Sequence, residues 1–522
     1  MRALLALSLI DVIGRLRRHE GGNVAAIFAV TSVPMVMMAG VTIDYGANSA
    51  VKQQLQNAVD ATTLSLAKLP LTLSQSDLES RAITQIAAAM AKSQIAGLKI
   101  DAQRSDGNYT VTATGTTPTT LTRLAGFSSL PLKVIGTTKR GSGNLEIAMV
   151  LDNTGSMDGA KITNLKAAAT KMVGDLFDQV DPAKPNSLKI AVVPFSQTVN
   201  VGASNVTAGW LDTKGLASYH SQIFNAKGNR LALFATLGQP WAGCVEGRIM
   251  PYDVQDTAAS QTAPDTLFVP YFAPDESDND GDAINNYLQD YATSAENKIA
   301  NNNGVKDRDR QGLLAKYALP VWKTATSNLQ APNYAKGPNY QCSMQPITPL
   351  TTTKSTITTA IANMNATGET NIPIGLAWGW HNLSPNGPMV KGAPYSDQNT
   401  RKFIILMTDG DNTNFRYSSD NGSKYSGISY IWTKRIGNLN EYSSDAARTK
   451  AMDARMSILC DNIKSAGVQI FTIRVEVKSG TSTLLQSCAS NPGMFFDVAD
   501  SANLTAAFQQ IGAQISELRL SR

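Results

Sequence analysis

A run of twenty residues without a single charge, Val24 to Ile43, constrains this chain more than any other feature. As a helix rising about 1.5 Å per residue it spans roughly 30 Å, the thickness of a bilayer's hydrocarbon core. Arg2, Arg15, Arg17 and Arg18 precede it and Asp44-Tyr45 follow at once, so the positive-inside rule keeps residues 1–23 cytoplasmic and sends about 480 residues outward. A cleaved signal peptide is the competing reading, but the run is longer than the apolar part of such a leader and lacks Ala-x-Ala-like cleavage spacing. Pro34 inside the span is tolerated in membranes, where it would break most soluble helices. The earlier apolar run Ala3–Ile13 is too short to span and contains Asp11.

With 522 residues the chain has room for about three folding units. Hydrophobic residues at 43% against charged residues at 17% supply sizeable cores and exclude a disordered chain. The formal net charge of +5 is spread along the sequence with no long basic stretch, so a nucleic-acid partner has no support. Cys244, Cys342, Cys460 and Cys488 show neither CxxC nor a Cys/His zinc spacing, which leaves two disulfides or four buried thiols.

Beyond the span, Val51, Leu55, Val59, Leu66 and Leu69 keep a helical spacing, so one helix is expected from about Val24 to Leu69. The stretch Arg17–Lys68 resembles the N-terminal module of TadE/TadG-like proteins of bacterial Flp-type (tight-adherence) pilus assembly. The resemblance lies in the basic flank and Gly22-Asn23 before the span and Asp44-Tyr45-Gly46 after it. It continues in a Gln-rich, then Ala-rich helix ending in Asp60-Ala61-Thr62-Thr63-Leu64. It implies a single-pass protein of the bacterial inner membrane with its C-terminal bulk in the periplasm. A second helix is expected at Asp77–Ala96, then short strands at Leu98–Ala102, Tyr109–Gly115 and Leu132–Thr137, with Asp106-Gly107 as a hairpin turn. Residues 44–143 thus read as a small α+β stalk, and Gly141-Ser142-Gly143 as a boundary.

The remainder, 144–518, alternates strands and helices and is expected to form a doubly wound, largely parallel α/β sheet. Ile147–Leu151 is a buried strand, Asp152-Asn153-Thr154-Gly155-Ser156-Met157 a loop, and a helix begins near Gly159. Asp152, Thr154 and Ser156 sit at alternate positions, so a bent backbone can turn one carboxylate and two hydroxyls to a common point. Such hard oxygens suit Mg²⁺. Thr370 stands before the helical run Ile372–Leu383, and Asp409 ends the strand Arg401–Thr408; in a parallel sheet the loops at the strands' carboxyl ends meet. The D-x-T-G-S motif at 152–156, the threonine motif at 368–370 and the T-D-G motif at 408–410 together resemble the metal-ion-dependent adhesion site (MIDAS) of von Willebrand factor type A domains. By that resemblance Ser156, Thr154 and Thr370 supply hydroxyls, Asp152 and Asp409 act directly or through water, and one coordination position stays open for a partner's acidic group. The bland alternative is that Asp152 and Asp409 only cap helices or turns.

Further strands are expected at Leu188–Phe195, Val468–Glu476 and Met494–Val498, and helices at Ala446–Ala466 and Ala502–Leu518. Residues 201–346 exceed any normal connection and read as an inserted, only partly ordered subdomain carrying Trp210, Trp241 and Trp322. Cys244 and Cys342 bracket much of it and Cys460 and Cys488 lie close in sequence, so these are the expected pairs. The run 275–282 holds five carboxylates in eight residues, but placing Gly281 as the turn glycine of an EF-hand puts Tyr287 where the bidentate Glu belongs. A solvated acidic loop is expected, with a calcium site of another kind as the alternative. No GxxxxGK[ST], HExxH or GxSxG occurs, and His19, His220 and His381 are unaccompanied, so an enzyme is not expected.

The combined reading is a TadG-like membrane-anchored assembly factor that binds a protein partner, expected among the other pilus-assembly components, through a metal site. A surface adhesin is the alternative, and an accessory subunit of an ATPase complex fits less well because nucleotide-driven partners lie inside the cell. A reporter active only outside the cytoplasm, fused after Gly143, is expected to be active; activity only from a cytoplasmic reporter there contradicts the topology.

Overall fold

The computed structural model describes residues 23–69, 73–105, 108–139, 143–290, 306–318, 320, 322–323, 334–477 and 482–520. The arginines of the N-terminus, His19, the Ala3–Ile13 run, Asp106-Gly107 and most of the 141–143 boundary lie outside them. The chain divides into two compact units, Met1–Gly141 and Ser142–Arg522.

In the first unit α1 runs unbroken from Asn23 to Ala67, with Pro34 inside it. Ile27, Phe28, Val30, Val33, Met35 and Val36 are each more than half exposed, as befits a helix that is apolar all round and long enough to cross a membrane. Its later part is amphipathic. Leu55, Val59 and Leu66 are buried, together with Leu78, Ala82 and Ile86 of α2 (Gln75–Ala89), against Tyr109, Val111, Ala113 and Val134 of an antiparallel sheet. That sheet has the order β1 (Ala96–Ser105), β2 (Asn108–Pro118), β3 (Ser129–Lys139). Gly136 of β3 lets α1 lie close: a Cβ there would stand 2.8–2.9 Å from Thr63, Asp60 and Val59 atoms. Two boundaries differ from expectation. Helix α2 stops at Ala89, because Ala96 is already paired with Thr116 in the sheet. The strands run several residues past their apolar cores, because the threonines at 110, 112, 114, 116 and 117 favour extended backbone as strongly as the aliphatics do.

The second unit is built on six strands: β4 (Asn144–Asp152), β5 (Leu188–Phe195), β6 (Thr348–Thr351), β7 (Thr400–Thr408), β8 (Gln469–Val475) and β9 (Phe495–Val498). Their order is β9-β8-β7-β4-β5-β6, parallel throughout except for the β5–β6 edge pair. Helices α3 (Ala160–Phe177), α4 (Lys354–Ala362), α5 (Ile372–Leu383), α6 (Asp445–Ser465), α7 (Thr483–Cys488) and α8 (Leu504–Leu520) connect and cover them. The expected doubly wound sheet is therefore present.

Each central strand is apolar on both faces, which is why it reads as a continuous hydrophobic run. Leu145, Ile147, Met149 and Leu151 of β4 join Phe403, Ile405 and Met407 of β7 in one core with α3, α4 and α8. Ala148, Val150, Ile404 and Leu406 face the other way, into a core shared with α5 and α6.

The 201–346 segment departs from expectation. Its described residues do not form a separate subdomain: Trp241, Phe268, Tyr271, Phe272, Tyr287 and Tyr317 belong to the same core as Ala148 and Val150 of β4. The length therefore yields two units and not three. Both expected disulfides are formed, Cys244–Cys342 and Cys460–Cys488, with Cα atoms 5.9 and 5.2 Å apart.

The acidic run also differs from expectation. Asp275, Glu276 and Ser277 are buried, whereas Gly281 and Asp282 are exposed. Lys316 explains it: its fully buried ammonium lies 2.9 Å from Asp275 and 3.0 Å from Asp290. Burial still pushes Asp275 up to about 6 against the pull of Lys316. Glu276 accepts the Asn285 amide at 3.0 Å and the Tyr430 hydroxyl at 2.9 Å. Replacing Lys316 by methionine strands two buried carboxylates without their cation, and is expected to cost about 3–5 kcal/mol in urea unfolding. A loss below about 1 kcal/mol contradicts the buried triad.

Candidate metal centre

Strands β4 and β7 are neighbours in parallel register, Leu151 opposite Met407, so their carboxyl ends present Asp152 and Asp409 side by side. This is where the connection order reverses: the chain leaves β4 toward β5 and β6, then returns across β4 to β7. Open α/β sheets collect ligands at such a switch point.

Asp152 is wholly buried. Its Oδ1 accepts the Thr154 amide at 2.8 Å and its Oδ2 the Thr408 hydroxyl at 2.7 Å. The Thr154 and Ser156 hydroxyls are 3.0 Å apart, and Ser156 donates to Asp409 Oδ1 at 2.7 Å. Asp409 Oδ2 is met by Lys161 Nζ at 2.6 Å, from the first turn of α3. Burial, and then the charge of Asp409, push the Asp152 carboxyl up to about 6.

The loop carrying these groups is held by its neighbours. Met157 is buried beneath it, the Asn153 amide donates to Phe195 O at 2.8 Å, and the Gly155 amide donates to Gly368 O at 3.0 Å. Gly368 has φ +77°, and a Cβ there would press on Gln197 and Ser196 at 3.1 Å. Thr370 follows, its amide donating to Thr413 Oγ1 and its carbonyl accepting from the Thr413 amide, both at 2.8 Å. Asn371 then caps α5, its side chain accepting the Ile374 amide at 3.2 Å.

Four of the five expected residues, Asp152, Thr154, Ser156 and Asp409, thus share one hydrogen-bonded set. Thr370 stands on the adjoining loop, and the bonds that fix it run through its backbone. Lys161, Thr408 and Thr413 were not singled out from the sequence. For Thr408 the signal was present in the T-D-G motif; Lys161 looks like any surface lysine near a helix start.

The donors fit a hard divalent cation. The two carboxylates and the Thr154 and Ser156 hydroxyls come together from the β4 and β7 loops, and an ammonium already sits on one carboxylate. Among the described residues no three His, Cys, Asp or Glu side chains gather to hold a metal, so hydroxyls and water would have to complete any shell. His220 and His381 take no part. Both are buried, and His220 lies 2.8 Å from Asp212 while its Nε2 accepts the Arg230 amide at 3.0 Å.

Residues 22–67 match a family described as "Putative Flp pilus-assembly TadE/G-like". No curated protein matches the chain. Among solved structures, proximal thread matrix protein 1 from the mussel byssus is 11% identical with a TM-score of 0.28, covering 72% of this chain and 46% of its own. The pilus adhesin SpaC from Lactobacillus rhamnosus GG is 10% identical with a TM-score of 0.32, covering 81% and 34%. The von Willebrand factor domain of the type V pili tip protein Mfa5 from Porphyromonas gingivalis is 12% identical with a TM-score of 0.31, covering 73% and 97%. This chain thus spans about half of the mussel protein and a third of SpaC. At TM-scores this low the fold is assigned from strand order and register, and the pilus-assembly match from residues 22–67.

A raised carboxyl pKa means that the ionised form destabilises the fold. For Asp152 that cost is absent below the ordinary value of 3.8, grows as pH rises, and is complete above about 6. Asp152→Asn is therefore expected to stabilise the metal-free chain by about 1–3 kcal/mol at pH 7.5, and by nothing measurable at pH 3.5. Equal melting temperatures for the two proteins at pH 7.5 contradict the buried charge.

Proposed function

We propose that this chain is a membrane-anchored factor of Flp-type pilus assembly, its bulk outside the cytoplasm, that binds a protein partner through one Mg²⁺ or similar divalent ion. The observation carrying this reading is the convergence of Asp152, Thr154, Ser156 and Asp409 at the switch point of a parallel sheet. The TadE/G-like segment at 22–67 and the membrane-length helix support the setting.

Asp152, Thr154 and Ser156 would hold the ion from the β4 loop, Asp409 from the end of β7, and Thr370 from the loop before α5. Bound there, a divalent ion supplies a hard electrophilic position that a partner's acidic side chain can complete. The protein's own part is positioning. The Thr408 and Thr154 bonds aim the Asp152 carboxylate, and Ser156 ties the first loop to the third. Lys161, now on Asp409 Oδ2, would have to give up that contact for Asp409 to hold the ion. Nothing in this set forms a nucleophile and base pair, so binding without turnover is the function proposed.

Calorimetric titration of Mg²⁺ into the full chain in detergent is expected to show one site. Asp152→Ala should abolish both uptake and metal-dependent capture of pilus components, with circular dichroism unchanged. Thr370→Ala, which removes one neutral hydroxyl, should weaken the ion less. No uptake by the wild type, or equal uptake by Asp152→Ala, overturns the assignment.

A further inference from the structure

The turn joining β2 to β3 is seated on α1 at three helix positions one turn apart: Gly40, Asp44 and Asn48. Asn48 Oδ1 accepts the Thr117 hydroxyl at 2.7 Å. The Asp44 carboxylate accepts the amides of Thr120, Leu121 and Thr122 at 3.0, 2.9 and 2.7 Å, and the Thr122 hydroxyl at 2.8 Å. At Gly40 a Cβ would come within 2.7 Å of Leu121 Cβ, so the missing side chain makes room for the turn. This gives the Asp44-Tyr45-Gly46 junction a physical role. Because Gly40 lies inside the uncharged run 24–43, the turn reaches the depth of the apolar span.

The turn is also tied together internally. A short 3₁₀ segment, Thr122–Ala125, ends at Gly126 with φ +93°. The Gly126 amide donates to Arg123 O at 3.1 Å, the Phe127 amide to Thr122 O at 3.2 Å, and the Thr119 amide to Ser128 O at 3.2 Å. On this frame Leu124 is 80% exposed and Phe127 65%, with exposed Arg123 beside them. Two large apolar side chains held outward on a fixed turn gain nothing from water. Beside a bilayer they are placed to bury themselves, and arginine suits lipid phosphate.

We propose that the tip of the β2–β3 turn, Leu124 and Phe127 with Arg123, inserts into the lipid interface at the Asp44 end of the span. The chain would then grip the membrane at two points, helix and turn, which restrains the tilt and rotation that a lone helix is free to adopt. The proposal rests on reading 24–43 as a membrane span, and its test separates the two.

The full chain, reconstituted in nanodiscs of phosphatidylethanolamine and phosphatidylglycerol, carries a nitroxide on a single added cysteine; all four native cysteines are in disulfides. The variants are Leu124→Cys, Phe127→Cys, Val36→Cys in the span and Ile83→Cys on the exposed face of α2. Collisions with oxygen, which enriches in lipid, are compared with collisions with a water-soluble nickel chelate. Oxygen is expected to dominate at 36, 124 and 127, and the chelate at 83. If 36 reads as lipid while 124 and 127 read as water, the inserting turn is wrong. If 36 itself reads as water, the membrane span fails and the proposal with it.

Discussion

Two carboxylates brought together by adjacent parallel strands, in a place from which water is largely shut out, set the terms for the whole second unit. Burial first, and then the nearby charge of Asp409, raise the pKa of the fully buried Asp152. The framework tolerates the strain because β4 and β7 are locked on both faces by apolar cores that cannot yield without opening voids. Polar chemistry is thereby confined to the strand ends. The hydroxyls of Thr154, Ser156 and Thr408 and the Lys161 ammonium soften the repulsion.

The parts of this site that were legible in the sequence are local patterns. Asp152, Thr154 and Ser156 follow a buried strand at alternate positions, and Asp409 ends another, so strand topology alone predicts their meeting. Lys161 was illegible because its partner is 248 residues away and no local feature of a helix start distinguishes a paired lysine from a solvated one. The same blindness to distant partners explains Asp275. Five carboxylates within eight residues read as solvated until Lys316, itself fully buried, is seen between Asp275 and Asp290. Burial of charge is decided by tertiary pairing, which composition does not carry.

The insertion shows the reverse effect. Its length and polar composition suggested a loosely ordered appendage, whereas its scattered aromatics, Trp241, Phe268, Tyr271 and Tyr287, extend one face of the sheet's own core. In the first unit the continuous helix and the three strands were readable from periodicity. The seat for the β2–β3 turn was not, since Gly40, Asp44 and Asn48 become a set only when a strand connection some seventy to eighty residues later folds back onto them. Glycine, aspartate and asparagine at helical spacing are otherwise unremarked.

The central claim is that the carboxyl ends of β4 and β7 hold one divalent ion. Crystals of the protein grown with Mn²⁺, with anomalous differences recorded near the manganese edge, test it directly. A single peak among Asp152, Thr154, Ser156, Thr370 and Asp409, with Lys161 displaced from Asp409, is the predicted result. Full Mn²⁺ in the mother liquor with no peak there, or with Lys161 still on Asp409, contradicts it.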